Sequence, residues 1–196
     1  MVKSLKMGVS RDPQADWDLT WTDGAVHAET LSKMRIYQKI NHFPGMFQLS
    51  RKNYLAKNIN KMRRKFVDEY DFHPKTWSLP AEYNELKVWM ENEGSNTVVI
   101  AKPEAGCQGR GIFLARNMEE FVYGEHYVVQ KYVRRPFLIE GLKFDLRVYV
   151  LVAGCDPLRV YVYREGLARF ATEGMYVLIE STVCRRRRIW GICICI

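Results

Sequence analysis

The run Val98-Val99-Ile100-Ala101-Lys102-Pro103-Glu104-Ala105-Gly106-Cys107-Gln108-Gly109-Arg110-Gly111-Ile112-Phe113-Leu114 constrains this chain more than any other. Its β-branched start reads as a strand ending on a lysine, and Ile112 to Leu114 opens a second strand. Between them, Gly106, Gly109 and Gly111 allow a tight turn whose amide N–H groups can approach oxygen atoms. A lysine at the end of a strand supplies a point charge for phosphate. Strand, cation, glycine turn and strand together make a place for polyphosphate, and ATP is the first candidate. The order excludes two better-known loops. A Walker A loop carries its lysine after the last glycine, and a kinase loop carries it on a later strand. A glycine hairpin with a surface lysine would have the same residues.

The chain has 196 residues, 47% of them hydrophobic, enough for one domain or two small ones. No apolar run approaches the ~20 residues of a membrane helix, and the first residues lack a signal-peptide core. The five cysteines show no paired metal spacing and read as reduced thiols. The net charge of +8 favours an anionic partner.

Residues 1–49 read as irregular, with a short helix from Glu29 to Lys39. Ser50 is expected to cap a helix running to about Tyr70. Leu55, Ile59, Met62 and Phe66 fall on its apolar face, with Lys57, Lys61 and Arg64 opposite. That basic stripe is either a solvated face or a contact for an acidic partner. Pro74 breaks the helical pattern, and Ala81 to Glu93 reads as helix again. Strands are expected at 97–102, 111–115, 127–133, 144–153 and 159–163, with a short helix at 117–123. The fold class is α+β: a mostly antiparallel sheet with helices on one side. The expected domains are an N-terminal region over 1–73, a central subdomain over 74–133, the start of a second over 134–174, and a tail over 175–196.

Three further segments carry chemistry. Gln130-Lys131-Tyr132-Val133 ends an apolar strand and could give adenine its edge hydrogen bonds and a flat wall; it also fits an ordinary strand end. Lys143, Asp145 and Arg147 alternate along a strand and so share a face. Three charges there are expensive unless that face lines a polar site. Asp145 could take ribose hydroxyls or orient its neighbours, and the cations could serve phosphate or carboxylate. Arg169 could form a bidentate carboxylate clamp or a surface salt bridge.

As a set, these segments resemble the tubulin tyrosine ligase-like enzymes, ligases of ATP-grasp fold that modify tubulin. The resemblance rests on 39–46 (Lys-Ile-Asn-His-Phe-Pro-Gly-Met), 74–77 (Pro-Lys-Thr-Trp), the Lys102 loop, 130–133, 141–151 and 165–172 (Glu-Gly-Leu-Ala-Arg-Phe-Ala-Thr). The Gln-Gly-Arg-Gly-Ile form of the loop and the turn at Cys155-Asp156-Pro157-Leu158-Arg159 are most similar to the polyglutamylase branch, which adds glutamate. The resemblance implies that Lys102 neutralises nucleotide phosphate. It puts Gln108, Gly109, Arg110, Gly111 and Ile112 on the loop over the phosphates, with Gln108 also near the acceptor. It gives Gln130, Lys131, Tyr132 and Val133 to adenine, and Lys143 and Asp145 to the rest of the nucleotide pocket. Lys143 and Arg147 would serve catalysis, Arg147 and Arg169 would bind substrate carboxylates, and Lys75 would reach the phosphates from the opposite wall. It implies ATP with Mg2+ as cofactors, free L-glutamate as co-substrate, and tubulin and microtubules as partners. It implies a monomer in the cytoplasm or on the cytoskeleton, at microtubules, a cilium or a basal body, with no role for nucleic acid or membrane.

The family pattern stops after Thr172. The acidic residues and asparagine expected to hold magnesium come later in that pattern, and only Glu173 and Glu180 follow Phe170 here. Residues 175–196 therefore read as a splice or frameshift tail, with a prenylation box at Cys193-Ile194-Cys195-Ile196 as a poorer rival because two of its positions are atypical. Weak or absent ligation is expected for the chain as written. The alternative is a non-catalytic fragment that binds tubulin or nucleotide.

Overall fold

A computed structural model describes residues 7–12, 15–24, 26–94, 97–104 and 110–174. The tail expectations at 175–196 fall outside the described residues. The chain forms two compact units, Met1–Met46 and Phe47–Ile196. The division falls well before the boundary expected at residue 73, so the basic helix belongs with the sheet rather than with the N-terminal segment.

In the first unit, β1 (Leu19–Thr20) pairs in parallel with β2 (Lys39–Ile40), and α1 (Ala28–Lys33) lies between them in sequence. Side chains tie the connections. Asn41 donates to the Thr22 carbonyl at 2.9 Å and accepts from the Thr22 amide at 3.0 Å. His42 Nε2 lies 2.6 Å from the same carbonyl. Gly45 follows with φ +76°, a backbone that side chains rarely adopt. The Asn-His-Phe-Pro-Gly segment thus acts here as a structural clasp.

The second unit opens with α2 (Phe47–Ser50) and α3 (Lys52–Arg63). Helix α3 starts without a side-chain cap and stops at Arg63, short of the expected Tyr70. Arg63 is drawn to the chain beyond the helix: it donates to the carbonyls of Tyr70 and His73 and meets Asp71 at 3.3 Å. Ala56 and Ile59 are buried, and Lys57, Lys61 and Arg64 are exposed as their spacing requires.

The central sheet contains β3 (Thr76–Ser78), β4 (Val99–Pro103), β5 (Phe113–Ala115) and β6 (Tyr127–Lys131), ordered β3-β6-β4-β5 and antiparallel throughout. Strand β3 has no counterpart in the sequence reading. Helix α4 (Tyr83–Glu93) sets Leu86 and Met90 against Trp77, Val99, Ala101 and Val129 on one face, forming the main core. A 3₁₀ turn at Met118–Glu120 brings Phe121 to the same core. On the other face Val98, Ile100 and Tyr132 form a smaller cluster with Ile112, Leu114 and Leu138.

Strand β7 (Leu138–Ile139) turns into β8 (Leu142–Cys155), which pairs with β9 (Leu158–Gly174). Glu140 and Gly141 form the first turn with φ +51° and +75°, the signature of a type I′ hairpin. The ribbon has three register irregularities. Leu146, Val148, Val150, Leu151, Val160, Val162 and Tyr163 along it are exposed. Their composition is that of strands covered on both faces; among the described residues nothing covers them.

Candidate functional site

Strand pairing decides which expected residues meet. Ile100 lies opposite Gln130, Lys102 opposite Val128, and Thr76 opposite Gln130. Directly opposed residues share a face, and the period of two repeats it along each strand. Thr76, Lys102 and Gln130 therefore point to one side of the sheet. Lys102 is only 8% exposed, and its Nζ lies 3.0 Å from Gln130 Oε1. Gln130 Nε2 in turn lies 3.0 Å from Thr76 Oγ1 and 3.3 Å from His73 Nε2. A buried ammonium is affordable only with such oxygen partners.

Next to this group stands Tyr132, buried beside Ile112. Lys143, at the start of β8, places Nζ 3.3 Å from the Tyr132 hydroxyl and 4.8 Å from its ring centre. Burial lowers the affinity of that ammonium for its proton, and the charge of Asp145 opposes the effect. Asp145 is itself clamped by Arg169, at 2.7 Å from Nε and 2.5 Å from NH2. The two residues are direct ladder partners. Arg147 continues the same strand face, half-buried, at the edge of a groove of about 460 Å³ along the ribbon. Gly111 closes the glycine loop with φ +69°; a Cβ there would sit 2.9 Å from Pro103 Cγ.

Other expectations are not brought to this group. Lys75 lies with its Nζ 5.4 Å from the Trp77 ring centre and 5.7 Å from that of Trp89. Lys131 reaches the Trp89 ring from 5.5 Å and Glu93 at 3.4 Å. Both ammonium groups stand on the α4 face, opposite Lys102, because they alternate with Thr76 and Gln130 along their chains. Lys75, expected to reach the phosphates, thus stacks over Trp77 and Trp89. Arg169, expected at a substrate carboxylate, holds the chain's own Asp145. Arg110 and Val133 are exposed, and Gln108 and Gly109 fall outside the described residues. His73 and Thr76 were missed. A histidine before a proline and a lone threonine give no signal until the register of β3 is known.

The comparisons bear on what this arrangement is for. The pattern of the tubulin-tyrosine ligase family matches residues 30–177. The chain belongs to that family. It is 60% identical over 173 residues to a probable beta-tubulin polyglutamylase of Tetrahymena thermophila, covering 87% of this chain and 14% of that protein. It is 52% identical over 157 residues to the mouse tubulin polyglutamylase TTLL6 (80% and 19%) and 42% identical over 173 residues to human tubulin polyglutamylase TTLL7 (86% and 20%). The chain thus spans no more than about one-fifth of the length of these relatives. Among solved structures it is similar to the C-terminal domain of Pby1 from K. lactis, an ATP-grasp enzyme. That match has a TM-score of 0.62 and 23% identity, covering 88% of this chain and 54% of that one. The fold is ATP-grasp, as the sequence led one to expect.

ATP-grasp chemistry implies magnesium, so the described residues must be asked whether they fit the ion. Among them no group of three or more His, Cys, Asp or Glu side chains could hold a metal. Asp145, whose charge acts on Lys143, has both oxygens on Arg169.

Proposed function

We propose that this chain carries the nucleotide-cradling portion of an ATP-dependent ligase that adds glutamate to glutamate side chains of tubulin tails. The observation that carries the proposal is the convergence of Lys102, Gln130, Tyr132 and Lys143 on one side of the sheet. Family membership and the tubulin polyglutamylases among its relatives supply the substrate class.

In the proposed reaction a carboxylate oxygen of the acceptor glutamate attacks the γ-phosphorus of ATP, and ADP leaves. The amine of free glutamate then attacks the acyl carbon of the mixed anhydride. It loses a proton as phosphate departs, leaving an isopeptide bond. The protein's part is to neutralise charge and align reactants. Lys102 and Lys143 would offset phosphate charge, with Tyr132 as the wall for adenine. Arg147, on the same face of β8, would receive a carboxylate. The surplus of basic residues suits acidic tails on microtubules, which would place the protein at the cytoskeleton, cilium or basal body.

A second reading, a piece that binds ATP or tubulin without ligation, is favoured by the engagement of Asp145 with Arg169. The test is incubation with ATP, magnesium, labelled glutamate and microtubules, alongside a direct ATP-binding measurement. The expected result is ATP binding abolished by Lys102→Met, with little or no label on tubulin from this chain alone. Robust labelling would select the full ligase reading. Absence of ATP binding would sink the nucleotide site.

A further inference from the structure

A line of polar groups crosses the sheet from a loop residue to Lys102. The Gln130 side chain has one acceptor oxygen and two donor hydrogens on nitrogen. Its oxygen faces Lys102 Nζ at 3.0 Å, and an ammonium can only donate. That contact fixes which end of the amide is which. The nitrogen then donates toward Thr76 Oγ1 at 3.0 Å and toward His73 Nε2 at 3.3 Å. Thr76 is suited to accept, since its own hydroxyl proton goes to the Pro74 carbonyl at 2.7 Å. His73 must also accept, so its ring is neutral with Nε2 unprotonated, and the proton sits on the enclosed Nδ1.

The surroundings favour that neutral form. The ring is half-buried. Arg63 approaches from α3 and donates to the His73 carbonyl, and Lys102 approaches from β4. Burial first, then Arg63, push the imidazole below its ordinary range; a backbone hydrogen bond at Pro74 opposes them, and Lys102 adds the smallest downward push. The nearby acid, Asp71, is taken by Arg63 at 3.3 Å.

We infer that His73 is a positioning residue for Lys102: as a neutral acceptor it holds the Gln130 amide with its oxygen toward the ammonium, and protonation of the ring turns that amide over and unseats the ammonium. The inference rests on the proposed role of Lys102 at the nucleotide phosphates. A protonated Nε2 would face the amide nitrogen donor to donor. Rotation relieves that clash but turns the NH2 group onto Lys102, where again donors meet. Either way the Lys102 contact is lost, and nucleotide affinity becomes sensitive to protons.

The experiment measures ATP affinity of the full chain from about pH 7.5 downward, for the natural sequence, His73→Gln, His73→Leu and Lys102→Met, each checked for folding by circular dichroism. His73→Gln keeps an acceptor near the Nε2 position but cannot titrate. The expected result is near-natural affinity for His73→Gln at the higher pH and about fivefold weaker binding for His73→Leu, the equivalent of one hydrogen bond. As pH is lowered until the ring's own resonances show it protonated, the natural chain should lose about fivefold more affinity than His73→Gln, which shares the titration of ATP itself. A constant ratio between them overturns the inference. A second readout needs no nucleotide: the Gln130 side-chain NH2 resonances should move with the His73 titration, and should not in His73→Gln. If Lys102→Met leaves ATP binding intact, the nucleotide reading fails, and a Gln130 resonance that ignores His73 sinks the positioning role independently.

Discussion

Arg169 grips Asp145 with two hydrogen bonds, 2.7 and 2.5 Å long, directly across the ladder between β8 and β9. The pair is mostly enclosed, with 29% and 14% of the two side chains exposed. A bidentate pair with that degree of burial lies between surface pairs, which add little, and buried ones, whose disruption leaves an uncompensated charge. Arg169→Gln should therefore cost about 1–3 kcal/mol in urea unfolding. Arg169→Lys should lose most of the same amount, because an ammonium cannot reproduce the fork. A double-mutant cycle with Asp145→Asn should show a coupling of at least about 1 kcal/mol. Additive single effects would mean that the clamp does not form in solution.

Gly166 marks the closest approach within the ribbon. It lies opposite Val148, and a Cβ at this position would collide with the backbone carbonyl of Arg147. Backbone cannot move aside as a flexible side chain can. Gly166→Ala should destabilise the chain by about 2 kcal/mol, the usual range for forced overpacking. Gly154→Ala serves as the comparison, since its Cβ would meet the Pro157 carbonyl at the gentler distance of 3.4 Å. Equal melting temperatures for the two variants would refute the close approach.

The turn from β7 to β8 can be improved. Glu140 adopts φ +51° in a two-residue turn whose second position is Gly141. A side chain in the left-handed region costs roughly 1–2 kcal/mol, and asparagine tolerates it best. Glu140→Asn should thus stabilise by about 0.5–1 kcal/mol, read as a higher urea midpoint at unchanged slope. A lower midpoint would show that the glutamate side chain contributes something its exposure does not suggest.

The parts of the site that lie on one strand could be read from residues alone. Lys102 at the end of β4, the alternation of Lys143, Asp145 and Arg147, and the basic stripe of α3 follow from local periodicity. Partners set by long-range register could not. Lys75 and Lys102 fall on opposite faces because β6 lies between β3 and β4, an order no local pattern encodes. Strand β3 escaped notice because three residues between Pro74 and Pro80 are too few to alternate. The length of α3 was overestimated because Phe66 continues the apolar spacing, while Arg63 leaves the helix pattern to bind Tyr70 and His73.

Lys143 links the central sheet to the ribbon, and its burial has a sign that can be measured. Enclosure lowers its proton affinity below the ordinary lysine value, and Asp145 only partly offsets this. The folded state therefore holds this proton less firmly than the unfolded chain does. Between the lowered folded value and the ordinary 10.5, the unfolded state binds more protons, so stability must rise with pH across that window. The contribution is fully present above 10.5 and is lost as pH falls through the folded value. Other lysines and tyrosines titrate in the same range, so the diagnostic quantity is a difference. Lys143→Met keeps the length of the side chain beside Tyr132 and removes the proton. Unfolding free energies of the two proteins, measured from about pH 7 to about pH 10, should change relative to each other, with the natural chain gaining on the variant as pH rises. The same substitution should weaken ATP binding, since it deletes one of the two cations assigned to the phosphates. Parallel pH curves would show that the Lys143 ammonium is hydrated in solution, and would remove it from the enclosed part of the site.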